Sequence, residues 1–276
     1  MPNRRRNDRN GPRSEGGKEG HPARFHRREH ERPAGGLEWL WGRHAVEAAL
    51  ANPRREGISR LLLAPGKALG AAAGAAPPPE AMDNREISRL LPAGAVHQGY
   101  ALLSAALEPA SLDEIGAPAT GVILMLDQVT DPQNVGTILR SAAAFGARGV
   151  VLQDRHAPPL SGVLAKAAAG AVDVIPIARE VNLSRSLDRL SELGWRAVGL
   201  AGEATQTLDQ VLDGSATVLV LGSEGEGLRR LVAEHCDAVA RIAAAQSFES
   251  LNVASAAAVA LYEAAKLVSE ANPGNG

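Results

Sequence analysis

The 276-residue sequence is poor in aromatic residues, has a single cysteine and lacks any long hydrophobic run. Aromatic residues make up only 3% of the chain, so a nucleic-acid binder that stacks bases on exposed rings is not expected. Cys236 alone allows neither an intrachain disulfide nor a multi-cysteine metal site. No run of about 18 apolar residues is present to span a bilayer. If RNA is a partner, we expect it to be held by charge and shape.

The N-terminal region lacks an apolar segment behind its charges, which argues against a secretory signal, and we expect a cytoplasmic protein. Residues 1–36 have no hydrophobic period and carry ten Lys or Arg against five Asp or Glu, a net charge of +5. Since the whole chain carries −2, the remainder carries −7. This composition predicts a disordered basic arm. Our hypothesis is that the arm captures RNA without sequence preference, and the alternative is a solvated tail without a partner.

Deletion of residues 1–36 tests this hypothesis. Because each phosphate contact releases counterions, removing the arm should weaken RNA binding and flatten the dependence of that binding on salt. Binding measured over a series of salt concentrations reports both effects. An unchanged salt slope would identify the arm as a solvated tail.

Hydrophobic patterning divides the rest of the chain into two α/β parts. Residues 37–107 alternate short helical and extended segments and are predicted to form a small α/β domain, whereas residues 108–120 have the composition of a linker. From 121 to 270 strands alternate with helices. The strands are predicted at 122–127, 149–153, 172–176, 196–200, 218–222 and 239–242, and the helices near 133–145, 160–169, 181–193, 227–235 and 251–269. This alternation predicts a mostly parallel sheet with helices on both faces, whose ligand lies beyond the carboxyl ends of the strands.

The first of three informative loops joins a buried strand to a helix in the segment LDQVTDPQNVGTILRS. Asp131 and Pro132 are a favourable N-cap and first-turn pair, which puts Asn134 in the first turn, where backbone N–H groups favour an anion. Arg140 follows about two turns in. Gly136 destabilises a helix by about 1 kcal/mol relative to Ala, which indicates close approach of another backbone or a ligand. Alone, the segment also fits an ordinary amphipathic helix with one surface arginine.

The second loop, in the segment VLVLGSEGEGLRR, runs from a buried strand through Gly222, Gly225 and Gly227 into a helix. It lacks the lysine and hydroxyl of a P-loop, and its glycines follow the order G-x-x-G-x-G rather than the dinucleotide order. Glu224 in the turn would repel phosphates, so a positively charged cofactor, or one without a phosphate chain, fits better. A glycine-rich turn with a merely capping glutamate is the alternative.

The third loop precedes the helical segment SLNVASAAAVALYEAAK. Ser250 can cap a helix that begins at Leu251, which places Asn252 in the first turn. The small residues of this helix permit close packing, either in a core or between subunits. Capping alone is the alternative role of Ser250 and Asn252. Each loop alone is weak evidence, but together, at the ends of three strands of one sheet, the loops indicate one site.

The segments DPQNVGTILRSAAAFGA, LGSEGEGL and SLNVASAAAVALYEA resemble, in order and spacing, the three motifs of the SpoU (TrmH-type) RNA ribose 2′-O-methyltransferases of the SPOUT superfamily. The small domain, with WGRHAVEAAL and AVHQG, resembles the RNA-binding domain of the 23S rRNA guanosine 2′-O-methyltransferases. The resemblance implies a trefoil-knotted C-terminal region that binds S-adenosylmethionine and needs no metal ion. It also implies a homodimer that completes the site, and methyl transfer to a ribose of rRNA.

By motif position, the resemblance implies a role for eight residues. The catalytic residues would be Asn134, Arg140, Glu224, Ser250 and Asn252. The residues that hold the methyl donor, largely through backbone groups, would be Gly222, Ile242 and Leu251. Because arginine stays protonated, Arg140 is expected to grip a phosphate and orient the hydroxyl rather than to accept its proton.

Two departures and two alternatives accompany the resemblance. The family commonly has Ile-Pro-Met where this chain has Ile242-Ala243-Ala244, and Ser where it has Ala254, and backbone contacts should survive both changes. A catalytically inactive RNA-binding relative is disfavoured because all five implied catalytic residues are present. A tRNA ribose methyltransferase is disfavoured because the minimal tRNA-specific members resemble the catalytic part alone.

Overall fold

A computed structural model describes residues 36–70, 77–243 and 251–271. The predicted basic arm, apart from Gly36, lies outside the described residues. The first sheet has four strands in the order β1-β4-β2-β3. They are β1 (Leu37–Trp41), β2 (Arg60–Leu63), β3 (Glu80–Ala81) and β4 (Tyr100–Ala105). β4 is antiparallel to β1 and β2, whereas β2 and β3 are parallel, and helices α1 (Arg43–Ala51) and α2 (Asn84–Leu90) accompany this sheet.

The second sheet has seven strands, and all of its strand pairs are parallel. They are β5 (Val122–Leu126), β6 (Gly149–Gln153), β7 (Ile177–Glu180), β8 (Arg196–Leu200), β9 (Gln206–Thr207), β10 (Thr217–Leu221) and β11 (Ala238–Arg241). Their spatial order is β7-β6-β5-β10-β8-β11-β9. Every residue of β5, β6 and β10 is buried, as expected for central strands that are covered on both faces. The predicted mostly parallel sheet is therefore confirmed.

Helices cover both faces of this sheet. They are α3 (Leu112–Gly116), α4 (Pro132–Ala144), α5 (Gly162–Ala167), α6 (Leu183–Glu192), α7 (Leu208–Val211), α8 (Arg230–Glu234) and α9 (Val253–Ala271). Because successive side chains of a strand point to opposite faces, Leu124 and Leu219 join the core with α4 and α9, whereas Met125 and Val220 join the core with α3, α6 and α8. None of the helices in the described part of the chain combines the length and hydrophobicity of a membrane-spanning segment.

The predicted strand at 172–176 is wrong. Residues Ala171–Asp173 form a 3-10 turn, and the strand begins only at Ile177. Val172 and Ile175, three residues apart, are buried on one side of the turn, while Val174 is 67% exposed. The apolar spacing thus fits a turn as well as a strand, and Pro176 has no N–H to donate to a neighbouring strand.

The segment 108–120, predicted as a linker from its composition, contains helix α3. Ser111 caps this helix by accepting a hydrogen bond from Glu114 N. Leu112 and Ile115, at helical spacing, are buried in the core that includes α6. Composition alone misses a short helix of this kind, because two apolar residues at the right spacing, Leu112 and Ile115, suffice to bury one of its faces. The division of the chain into domains remains a prediction.

Gly136 lies where α4 crosses α5. A Cβ added at Gly136 would lie 2.5 Å from Ala167 Cβ and 2.9 Å from the backbone of Ala167 and Ala168. The predicted close approach of a second backbone is therefore confirmed, and glycine here permits tight packing of the two helices.

A buried ion pair joins the first α/β part to the second. Arg55 Nε and Nη2 donate to the two carboxylate oxygens of Asp173 at 2.9 and 3.0 Å, and both side chains are 0% exposed. Arg55 Nη1 donates to Glu38 Oε1 at 3.0 Å and to Ala105 O at 3.1 Å. Asn52 Nδ2 donates to Asp173 Oδ1 at 3.0 Å. The end of α1 is thereby fixed to the 3-10 turn of the second α/β part.

Candidate active site

Three loops at the carboxyl ends of β5, β10 and β11 bring together Asn134, Glu224 and Asn252. Glu224 Oε1 accepts hydrogen bonds from Asn134 Nδ2 at 3.2 Å and from Asn252 Nδ2 at 2.5 Å. Asn252 Nδ2 also donates to Asn134 Oδ1 at 3.0 Å. The three side chains form a closed triangle of hydrogen bonds, which we call the Asn-Glu-Asn triangle. Three of the five residues implied by the family motifs therefore meet at one place.

Helix capping positions two corners of the triangle. Asp131 Oδ2 accepts a hydrogen bond from Asn134 N at 3.0 Å, and Pro132 is the first residue of α4, so the predicted start of this helix is confirmed. At the start of α9, Asn252 Oδ1 accepts from Ala254 N at 2.9 Å and from Ser255 N at 3.3 Å. Asn134 is thus held in the first turn of α4, whereas Asn252 precedes α9 and caps it. The prediction that this helix begins at Leu251 is wrong, because Asn252 acts as the cap and the helix begins at Val253.

Glu224 is held by the other two corners and by a helix N-terminus. Its Oε1 also accepts a hydrogen bond from Val253 N at 3.3 Å, where the partial positive charge of α9 favours a carboxylate. Among the described residues, Oε2 has no hydrogen-bond partner, and the side chain is exposed. Within the described part of the chain, the site therefore presents Oε2 as a carboxylate oxygen that could bind a cationic or hydroxyl-bearing ligand.

The glycines of the second loop serve the turn itself. A Cβ added at Gly222 would lie 2.0 Å from Gly227 C and 2.1 Å from Gly227 O, so only glycine allows the loop to close on itself. Gly227 N donates to Ser223 O at 3.0 Å across the base of the turn. Gly225 and Gly227 have φ values of 93° and 68°, in the region that favours glycine. The turn closes on its own backbone, with Glu224 at its tip, rather than around a phosphate group.

Arg140 does not reach the triangle within one chain. It is exposed, lies about 9 Å from Asn134 along the helix axis, and makes no hydrogen bond or ion pair with any residue that the structure describes. Gln133 and Thr137 lie on the same outward stripe of α4, as the spacing predicts. With no partner among the described residues, the guanidinium is available to bind a group from outside the chain.

The implied donor-binding residues surround the same edge of the sheet. Gly222 is half-buried directly after β10, Ile242 is half-buried directly after β11, and Leu251 is 41% exposed just before α9. Ser250 lies outside the described residues, so its implied role remains a prediction. Two apolar side chains and a closed glycine turn thus lie at the edge that carries the triangle.

Cys236 is a titratable group near the site that has been assigned no function so far. Burial, together with the nearby Asp237 and Asp127, raises the pKa of the Cys236 thiol to about 12, so this cysteine is no nucleophile near neutral pH. In the described ranges, no group of three or more His, Cys, Asp or Glu side chains is placed to hold a metal ion.

Sequence reasoning missed an ion pair beside the triangle. Asp127 follows β5 and is 0% exposed. Its Oδ1 accepts from Arg229 Nε at 2.7 Å, and its Oδ2 accepts from Arg229 N at 3.1 Å. The available signal was a carboxylate at the end of a fully apolar strand, since a buried charge requires a partner. The sequence does not say which of the adjacent Arg229 and Arg230 supplies it.

Comparisons with known proteins identify the family. A sequence model of the SpoU rRNA Methylase family matches residues 121–262, and a model described as RNA 2′-O ribose methyltransferase substrate binding matches residues 39–110. The 23S rRNA (guanosine-2′-O-)-methyltransferase RlmB of Pseudomonas aeruginosa is 40% identical over 242 residues, which are 82% of this chain and 95% of that protein. RlmB of Pseudomonas putida is 36% identical over 83% of this chain and 96% of its own length.

Solved structures give the same result. The AdoMet-bound rRNA methyltransferase from Sinorhizobium meliloti has a TM-score of 0.69 at 27% identity, covering 84% of this chain and 87% of that chain. The SpoU methyltransferase AviRb from Streptomyces viridochromogenes shares the fold, with a TM-score of 0.71 at 22% identity over 86% of this chain and 91% of its own. This chain, with its motif loops at one edge of a parallel sheet, belongs to the SpoU rRNA methylase family.

Proposed function

We propose that this protein transfers the methyl group of S-adenosylmethionine to the 2′-hydroxyl of a guanosine in 23S rRNA. The observation that carries the proposal is the Asn-Glu-Asn triangle, which joins the three motif loops at the carboxyl edge of the sheet. The family match and the length over which the RlmB relatives align support the same reaction. An rRNA substrate would place the reaction in the cytoplasm.

The residues at this edge suit the proposed methyl donor. S-adenosylmethionine supplies an electrophilic methyl group on a positively charged sulfur. Glu224 offers a carboxylate to a cation, and the closed glycine turn contains no lysine for a phosphate chain. Ile242 and Leu251 offer partly exposed apolar surface, suited to the flat face of an adenine. These side chains, with the backbone at Gly222, would hold the donor.

The chain's own polar groups would orient the acceptor. A ribose hydroxyl is a very weak acid, so it must be held in line with the methyl carbon. Its oxygen then bonds to that carbon as the carbon–sulfur bond breaks, and its proton leaves to solvent or to a neighbouring phosphate. Arg140 can grip a neighbouring RNA phosphate with two parallel N–H···O bonds, which fixes the ribose and adds positive charge near its oxygen. The amides of Asn134 and Asn252 complete a polar wall beside Glu224.

We further propose that a homodimer completes the site, because Arg140 and the triangle do not meet in one chain. The exposed stripe of α4 that carries Arg140 ends near Phe145, which packs edge-on against Tyr262 of α9 with ring centroids 6.0 Å apart. Phe145, Val259 and Tyr262 are 37%, 40% and 52% exposed, which makes an apolar surface on α4 and α9. Burying this surface against a second copy would bring Arg140 to the partner's triangle. The trefoil knot also remains a proposal, because the chain between β11 and α9 runs through residues 244–250, outside the described residues.

Substrate choice is tested with labelled S-adenosylmethionine and separate 23S rRNA and tRNA fractions. We expect label in 23S rRNA only, at a guanosine whose 3′-phosphodiester resists alkaline hydrolysis, because a methylated 2′-hydroxyl cannot attack its neighbouring phosphate. Label confined to tRNA would move the substrate to tRNA and keep the chemistry. Absence of label in both fractions, with the methyl donor still bound, would favour an RNA-binding protein without catalysis.

A further inference from the structure

Asp127 makes hydrogen bonds with both ends of the glycine loop that carries Glu224. At the start of the loop, Asp127 N donates to Leu221 O at 2.8 Å, which extends the ladder between β5 and β10 by one bond. At the end of the loop, the Asp127 carboxylate accepts from both the backbone and the guanidinium of Arg229. The main chain and the side chain of Asp127 therefore fix the two ends of the turn whose tip is Glu224.

This arrangement links the first two motif loops. Asp127 lies four residues before the helix cap Asp131, in the loop that leads to Asn134. Arg229 is the residue immediately before α8, directly behind the glycine turn. A shift of Arg229 relative to Asp127 would move Glu224 relative to Asn134, because the closed turn transmits the displacement as a rigid unit.

The burial of the pair is asymmetric. The Asp127 carboxylate is fully buried, whereas the Arg229 side chain is 40% exposed and its Nη2 lies 2.6 Å from Asp127 Oδ1. A buried carboxylate needs charge-assisted donors to stay ionised, and Arg229 provides the guanidinium and a backbone N–H together. The buried Asp127 carboxylate therefore fixes the position of Arg229.

We propose that Asp127 and Arg229 are positioning residues that hold Glu224 in register with Asn134 and Asn252. The proposal rests on the proposed methyl transfer at the Asn-Glu-Asn triangle. Neither side chain needs to touch the methyl donor or the RNA.

Arg229→Gln tests the pair against Arg230→Gln as a matched control. Arg230 is the next residue, its side chain is 78% exposed, and its one ion pair among the described residues is with Glu234, one turn away. Arg229→Gln should lower kcat/KM for methyl transfer by between about tenfold and 10²-fold, with a raised KM for S-adenosylmethionine, because a loop displaced by about 1 Å misplaces the reacting groups. Arg230→Gln should match wild type, and Arg229→Lys, which keeps a cation beside Asp127, should recover part of the loss.

A double variant separates positioning from stability. Arg229→Gln alone leaves a buried carboxylate short of donors, whereas Asp127→Asn with Arg229→Gln leaves no buried charge and should regain the wild-type Tm. If the pair positions the loop, this double variant keeps the raised KM and the weakened calorimetric binding of S-adenosylmethionine. Recovery of both Tm and kinetics, or wild-type kinetics in Arg229→Gln, would overturn the proposal. A wild type that binds the donor but methylates no RNA would refute the proposed function, while the binding measurement still tests the pair.

Discussion

Arg140→Ala should lower the rate of methyl transfer by about 10²–10³-fold, the scale seen when one preorganised electrostatic donor is removed from an active site. Its free energy of unfolding should stay within about 0.5 kcal/mol of wild type, because Arg140 is exposed and has no partner in the described part of the chain. Single-turnover methyl transfer and denaturant unfolding measure the two quantities. Arg185→Ala removes another exposed arginine, on the opposite face of the sheet, and should change neither.

Mixed dimers decide in which subunit Arg140 acts. One chain carries Arg140→Ala with an intact triangle, and the other carries Glu224→Ala with an intact arginine. If Arg140 serves the partner's triangle, a heterodimer contains one complete site and recovers activity that both parent variants lack. If Arg140 serves its own chain, both sites of the heterodimer are incomplete and nothing is recovered. Failure of the mixture, with retained activity in Arg140→Ala alone, would remove Arg140 from the catalytic residues altogether.

Asp173→Ala should destabilise the protein by about 3–5 kcal/mol, because it leaves the fully buried Arg55 guanidinium without its main counter-charge. Glu38, itself partly exposed, is the remaining carboxylate in contact with Arg55. Denaturant unfolding measures the loss. Asp113→Ala is the matched control, because Asp113 pairs with Arg189 at the surface, where both side chains are about half exposed, and should lose less than about 1 kcal/mol.

If Asp173→Ala and Asp113→Ala lowered the free energy of unfolding by the same small amount, the proposed role of the buried Arg55–Asp173 pair would be contradicted. Such a result would mean that water replaces the lost carboxylate without penalty, and that the contact between the two α/β parts rests on apolar packing alone. A large effect of Asp173→Ala with normal kinetics at low temperature would assign the pair to stability rather than to catalysis.

Local sequence signals predicted much of the fold. Strands β6 and β8 begin and end at the residues predicted from the hydrophobic pattern, and α4 begins at the Asp131-Pro132 pair. These features depend on residues within one or two turns of each other. The strand predicted at 172–176 failed because an apolar run fits several local structures, and only the missing N–H of Pro176 distinguishes them.

Local sequence signals did not predict contacts between residues that are far apart in the sequence. Asp127 and Arg229 are 102 positions apart, and Arg55 and Asp173 are 118 apart, so neither spacing nor composition joins them. The family motifs did name Asn134, Glu224 and Asn252, but not the hydrogen bonds between them. They also gave no sign that Arg140 would lie apart from these three within a single chain.

The Asn-Glu-Asn triangle has a consequence for the order in which the protein is made. Its closing bond joins residues 118 positions apart, and one corner is supplied by the start of α9, the last described helix. During synthesis, the segments that contain Asn134 and Glu224 emerge first. Contacts of such long range form late, because the intervening chain must be ordered before they close. A nascent chain therefore forms a nearly complete sheet before the Asn-Glu-Asn triangle can form. The site is complete only when α9 packs against the sheet.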